Sequence, residues 1–368
     1  MIFERTGIQS VYTMHAMQSF AQSLLGIFVP IYLLTLGNSL SEVLIFFIIY
    51  YAVMGPGAFV AIWIAKKLGL IHTINLRFPL LIIFLVCLYL LKQYDFNIYW
   101  LAVIGGVQNI LYWIPLHLLF TLNAKNKNIG SSTGILFALP KVVNLFAPFI
   151  GGLIAYYFGF GILIAISSII YLLSTLPLVR AGNIAADFTF KFKNGLGLIK
   201  KYPKYFLAEL FENLGEETSA IIWPLFIYWH YINIPLVGAL GTIAKVGAIL
   251  FTLILGKHAD KSDTKKMFKW GAVLLSVIWI LRYFVINDVI VYSSTMLIGF
   301  FMLMLLVPYS TVLYKVAKKE TTDEFFVFRE IPVAISRVAI LSIALLFVSQ
   351  LEVTFLVSGI AYLYFLFI

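Results

Sequence analysis

Apolar runs of membrane length follow one another almost from end to end of this 368-residue chain, and that feature decides its solvent. A bilayer core about 30 Å thick needs about 20 apolar residues per helix, and only short polar clusters interrupt such runs here. Apolar residues make up 62% of the chain, charged residues 11%, and the mean hydropathy is +0.99. A soluble domain has roughly a quarter of its residues charged, so the chain reads as an integral membrane protein. Lipid offers the backbone no hydrogen bonds, which leaves helices and closed barrels. Runs this long and this continuously apolar do not suit the alternating strands of a barrel. The expected fold is therefore all-α.

Polar clusters divide the chain into about twelve expected spans, near residues 9–36, 42–65, 78–92, 97–121, 131–157, 160–180, 205–232, 235–256, 268–286, 289–316, 327–349 and 352–368. The first run is too long for a removable signal peptide and is expected to stay as the first helix. Of the 26 Lys and Arg residues, 21 fall at the N-terminus or after even-numbered spans, among them Lys66, Lys67, Arg77, Lys191, Lys201, Lys318 and Arg329. Lys92 and Arg282 fall at the opposite ends. Basic residues collect on the cytoplasmic side, so both termini are expected there, in a multi-pass protein of the cytoplasmic membrane. The net charge of +10 then reports orientation and contact with anionic lipid rather than nucleic-acid binding. Cys87 is the single cysteine, which excludes an internal disulfide and any cysteine-cluster metal site. It reads as a small core hydrophobe.

The chain repeats itself. A shift of 194 positions lays Pro30 on Pro224, Tyr32 on Phe226 and Ile104-Gly105 on Ile298-Gly299. Shifts of 193 and 192 pair Pro115 with Pro308 and Pro140 with Pro332. The repeated unit is six helices, giving bundles at 1–180 and 205–368 joined by a basic linker at 181–204. Parallel repeats of this kind belong to secondary transporters with two rocking halves.

One polar interruption has more pattern than topology requires. Between the eighth and ninth spans the chain reads Gly256-Lys257-His258-Ala259-Asp260-Lys261-Ser262-Asp263-Thr264-Lys265-Lys266. This resembles the signature loop of the major facilitator superfamily, Gly-x-x-x-Asp-Arg-x-Gly-Arg-Lys, with Lys261 for the first Arg and with Asp263 and Thr264 in place of the second Gly and next Arg. The small-residue runs Gly130 to Gly134, Pro148 to Gly152 and Phe158 to Gly161 are similar to the family's pattern in that region. The repeat sets Lys66-Lys67-Leu68-Gly69 against Asp260 to Asp263, so the first-half loop keeps its basic residue and glycine but not the acid. The resemblance implies twelve helices in two six-helix bundles, with Gly256, Asp260, Lys261 and Lys265 as a cytoplasmic gate loop. It also implies a central cavity lined by helices 1, 4, 7 and 10, with helices 5 and 8 meeting on one side and helices 2 and 11 on the other.

Charges deep in a span are costly, about 2.5 to 3.5 kcal/mol each on the gentlest scale, and mark function by default. The seventh span opens with Glu209, Glu212, Glu216 and Glu217. At 100° per residue the first three share a face, and Glu216 lies about 15 to 18 Å into the span. The repeat sets Gln22 opposite Glu216, and Gln18 is one turn from Gln22. Lys141, Lys245 and Arg337 sit about halfway along spans 5, 8 and 11. Gln18, Gln22, Lys141, Glu212, Glu216, Lys245 and Arg337 are thus the expected substrate or proton pathway. Glu216 would exchange a proton and the lysines would hold an anionic part of a solute, the alternative being fixed Glu to Lys bridges between the halves. Gln108, Asn109, His117 and Asn144 are weaker candidates, as are Trp113 and Trp223 for stacking on a solute.

No paired His and carboxylate metal motif, phosphate-cradling loop or nucleophile with a base is present, so an enzyme, a cofactor and a resident metal are not expected. The leading expectation is a proton-coupled secondary transporter, symporter or antiporter, of a polar or anionic metabolite. Efflux of amphipathic drug-like compounds and a transport-inactive membrane sensor or assembly partner are the alternatives. The expected partners are a small-molecule solute, the proton and membrane lipid, with the chain acting as a monomer.

Overall fold

The computed structural model describes residues 2–94, 96–123, 129–179, 190–259, 264–284 and 287–368. The elements are helical throughout: α1 (Ile2–Leu25), α2 (Val29–Thr35), α3 (Leu40–Leu68), α4 (Leu70–Leu90), α5 (Ile98–Asn123), α6 (Ile129–Val143), α7 (Ala147–Phe158), α8 (Phe160–Leu173) and α9 (Leu176–Val179). They continue with α10 (Phe192–Lys201), α11 (Pro203–Glu217), α12 (Trp223–Tyr231), α13 (Ile234–Ala259), α14 (Thr264–Phe284), α15 (Asp288–Lys319), α16 (Thr322–Leu346) and α17 (Val353–Tyr362). No strand occurs among the described residues. Eight spans within them are long and apolar enough to cross a membrane by length and composition, and two shorter apolar helices lie at Phe160–Leu173 and Val353–Phe367.

Local chemistry sets the ends. Ser39 begins α3 with a reciprocal capping box: its hydroxyl accepts from the Glu42 amide at 3.2 Å, and the Glu42 carboxylate accepts from the Ser39 amide at 2.7 Å. Asn287 caps α15 by accepting from the Ile290 amide at 3.0 Å. Single glycines turn the chain between α3 and α4 and between α7 and α8, where Gly69 and Gly159 have φ of 87° and 84°, a region that side chains with a Cβ avoid.

Two helices are broken at matching places. A 3₁₀ turn at Gly26–Phe28 separates α1 from α2, and a π turn at Thr218–Ile222 separates α11 from α12. Each is followed by a proline near the start of the next helix, Pro30 and Pro224, the same pair that the shift of 194 aligns. Proline lacks the amide that would continue the ladder, so the preceding turn loosens.

The helices before residue 180 meet those after residue 190 along two seams, α7 against α13 and α3 against α16. At the first, Gly238 faces the Pro148 carbonyl so closely that a Cβ there would stand 2.4 Å from it. At the second, Gly55 faces Ala334.

Three boundaries differ from expectation, all because charge was read as loop. α4 begins at Leu70 rather than near 78 and carries Arg77 inside the protein, 4% exposed. α16 begins at Thr322 and buries Arg329 against Glu209. α13 continues to Ala259, so Gly256 is helical rather than in the loop. The linker holds the amphipathic helix α10, whose Gly195 lies against the Phe328 ring of α16.

Candidate functional site

A cavity of about 480 Å³ lies about halfway along the helices, between α1 to α8 on one side and α11, α13, α15 and α16 on the other. Its walls combine Phe46, Phe47, Tyr50, Tyr51 and Trp113 with a small set of polar groups, the usual composition of a small-molecule site. Four cations line it, Arg77, Lys141, Lys245 and Arg337, with two carboxylates, Glu216 and Glu217.

The carboxylates are committed to one cation. Arg337 reaches Glu216 at 3.2 Å through a terminal nitrogen and Glu217 at 3.6 Å through Nε, which also donates to Asn213 Oδ1 at 3.2 Å. The Glu216 side chain is 44% exposed and the Glu217 side chain 2%, so Glu216 is the open one of the pair. Arg337 also lies 5.0 Å from the centre of the Tyr51 ring.

The other three cations have no carboxylate within 4 Å among the described residues. Lys245 donates to the Asn144 backbone carbonyl at 2.9 Å. That carbonyl lies in the break between α6 and α7. Lys141 makes no hydrogen bond or ion pair among the described residues. Arg77 donates from Nε to Gln108 Oε1 at 3.0 Å and from a terminal nitrogen to Gln18 Oε1, while its guanidinium lies 4.4 Å from the centre of the Tyr112 ring. The amide oxygens are neutral and solvate the guanidinium without supplying a counter-charge, so its net positive charge remains at the cavity. Unpaired charge in low dielectric attracts an anion strongly.

Of the pathway residues expected from sequence, Gln22, Lys141, Glu216, Lys245 and Arg337 line this cavity. Gln18 and Glu212 do not. Gln18 is 2% exposed and stands behind Arg77, whose guanidinium fills the space one turn from Gln22. Glu212 shares the azimuth of Glu216 but lies about 6 Å further along the axis, past the end of the cavity. There it accepts from Asn213 Nδ2 at 2.9 Å. In the gate loop, Asp260 and Lys261 lie outside the described residues. Lys265 donates to the Ile368 backbone carbonyl at 3.3 Å. Among the weaker candidates, Gln108, Asn109 and Trp113 line the cavity, while the Asn144 amide ties α6 to α1 through the Ser19 carbonyl and the Ser23 hydroxyl. Arg77, Glu217 and Tyr171 are cavity residues that sequence reasoning did not place there.

Between the cavity and the side bearing α10, a polar chain joins the two groups of helices. His117 of α5 shares a 2.7 Å hydrogen bond between Nδ1 and the Tyr314 hydroxyl of α15, and lies 3.1 Å from Arg329 of α16. Arg329 in turn binds Glu209 of α11 at 2.6 Å, and the His117 ring stacks on Phe326.

No protein-family model and no curated protein matches this sequence. Solved structures do match in fold. The major facilitator superfamily transporter FucP, seen in the outward conformation, covers 98% of this chain with 97% of its own at a TM-score of 0.72 and 13% identity. A second crystal structure of that protein, described as the E. coli fucose:proton symporter, gives the same values. A bacterial homologue of the human drug peptide transporters matches 99% of this chain with 97% of its own, again at 0.72 and 13%. The chain thus has the fold of the major facilitator superfamily, and the structures it resembles are transporters rather than enzymes.

Proposed function

We propose that the chain is a secondary transporter that carries a small organic anion through the membrane by rocking residues 1–180 against residues 205–368. The observation behind this reading is that Arg77, Lys141 and Lys245 face one cavity with no carboxylate within 4 Å among the described residues, while both cavity carboxylates are paired with Arg337. Such a site repels cationic drugs and favours a solute with at least one carboxylate or phosphate group.

Glu216 is the proposed proton carrier. Protonation would remove one of the two carboxylates on Arg337, leaving Glu217, and make the cavity one charge more positive, so proton and anion favour each other's binding and by reciprocity travel together. The similar fold of a fucose:proton symporter makes proton coupling chemically reasonable for this architecture. By the charge rule the α10 side faces the cytoplasm.

The test is a thermal-shift panel of organic anions, sugars and cationic drugs on purified protein, followed by uptake into liposomes under an imposed pH gradient. Stabilisation by anions alone, and uptake driven by the gradient, is the expected result. A response confined to cationic amphiphiles would favour efflux, and none across broad panels would favour a sensor. Glu216→Gln should abolish gradient-driven uptake while leaving anion binding in place, and unchanged pH-driven uptake would remove Glu216 from the coupling.

A further inference from the structure

A second, smaller cavity of about 60 Å³ adjoins the first and shares Ile27, Ser219, Gly241, Ala244 and Ile298 with it. Its distinguishing wall is Arg282, which sequence reading placed at a membrane surface but which is 1% exposed in α14. The guanidinium lies 3.5 Å from the centre of the Trp223 ring and 4.7 Å from that of Trp279. It donates at 2.8 Å to the hydroxyls of Ser294 and Thr295. No carboxylate lies within 4 Å of it among the described residues.

The rings and hydroxyls are neutral. Such partners solvate the guanidinium but leave its buried charge without a counter-charge. A second buried group points the same way: Trp223 also lines the small cavity, is 5% exposed, and its Nε1 donor has no hydrogen-bond partner among the described residues. A guanidinium without counter-charge and an indole N–H without acceptor on one cavity wall are donors to the same missing chemistry, an anion. The space, about 60 Å³ beside the larger cavity, has room for a small inorganic anion such as a halide.

We propose that Arg282 and Trp223 form a chloride site beside the solute cavity, with Arg282 supplying the counter-charge and Trp223 Nε1 a hydrogen bond. The site does not depend on what the larger cavity carries, and by holding α12, α14 and α15 together it sets the shape of the wall the two cavities share.

The proposal is tested by thermal denaturation of the purified protein titrated with sodium chloride against sodium gluconate at constant ionic strength, with the gluconate response of wild type and Trp223→Phe compared so that any binding of that carboxylate in the larger cavity is read separately. The wild type should gain stability saturably with chloride, and bromide should substitute. Trp223→Phe, which keeps a ring over the guanidinium but removes the donor, should need about tenfold more chloride for half-saturation, and Arg282→Gln should lose the response. Equal melting in chloride and gluconate overturns the site, and that result stands if Arg282→Gln fails to fold. A saturable chloride response unchanged by Trp223→Phe also overturns it, placing the ion elsewhere. Stabilisation by an organic anion but not by chloride is what the larger cavity alone would give, and it too overturns the chloride site.

Discussion

The cations of the large cavity differ in what else they hold, and that separates binding from stability. Lys245 makes one hydrogen bond, to a backbone carbonyl, and Lys141 makes none among the described residues. Lys141→Met and Lys245→Met should therefore fold normally and raise the KM for the anionic solute about tenfold or more each, the loss of one charged contact. Arg77 is bound to Gln18 and Gln108 in the interior. Arg77→Met should also lower stability, by about 1 to 3 kcal/mol, because two buried amide oxygens lose their donor; melting curves in denaturant or heat separate the classes. Glu216, Lys141, Lys245 and Arg337 were legible in sequence because each interrupts an otherwise apolar span. Arg77 and Arg282 were not, since a lone arginine near a polar cluster looks the same whether it ends a helix or points inward. Glu212 misled for a different reason: periodicity gives the direction a side chain takes from the helix axis, but not where along the axis the cavity stops.

At the level of elements, the described glycines show very close backbone packing between α13 and α15. A Cβ on Gly247 would stand 1.8 Å from the Met296 carbonyl oxygen, and one on Gly299 would stand 1.8 Å from the Ala244 carbonyl oxygen. Small residues let membrane helices pack backbone to backbone, the main source of attraction where lipid is as apolar as the side chains. The obstacle is a carbonyl rather than a side chain that can turn aside, so Gly299→Ala should push the helices apart and cost at least about 1 to 3 kcal/mol. A loss of thermal stability would report it, whereas Gly197→Ala, with nothing within 4 Å, serves as control. The repeat in the sequence located the prolines that follow the breaks in the first and seventh spans, yet not the π turn itself, because a widened turn leaves no mark in composition.

The linker helix α10 is tethered by a contact whose pH dependence has a definite sign. Glu320 accepts from Lys201 Nζ at 2.6 Å and from the Tyr202 hydroxyl at 2.6 Å. These bonds hold its carboxyl below the ordinary range and raise the Lys201 ammonium above its own. A depressed carboxyl contributes stability that is complete above the ordinary carboxylate pKa of about 4.3 and lost as pH falls through the lower folded value. A raised ammonium contributes stability that is complete below about 10.4 and lost as pH rises through the higher folded value. The melting difference between wild type and Glu320→Gln should therefore be small and level from about pH 5 to pH 10 and shrink in acid, because an exposed pair is weakened by solvent. A difference that grows in acid would contradict this assignment.

Over the whole molecule, the two groups of helices are joined at both depths, but by different chemistry. The α7 to α13 seam is close packing of glycine and proline, while the side bearing α10 is joined by His117, Tyr314 and Arg329. The fold was legible at this scale from the length of the apolar runs and the repeat. The joining chemistry was not, because His117 and Tyr314 are 197 residues apart and nothing in the pattern around His117 says which distant residue it meets. A packed seam changes little with one substitution, whereas a single hydrogen bond can be removed cleanly. Tyr314→Phe keeps the ring on Phe120 and Phe326 and deletes only the bond to His117. A net loss of about 1 kcal/mol should shift the balance of conformations about fivefold toward opening on the α10 side. Cys87 is the single native cysteine, so in a Cys87→Ser background a cysteine placed in the cavity by Asn109→Cys reports access directly. Adding Tyr314→Phe should speed its labelling by a membrane-impermeant maleimide supplied from the α10 side and slow labelling from the other side. Equal rates with and without Tyr314→Phe would mean that the His117 to Tyr314 bond does not hold the α10 side closed.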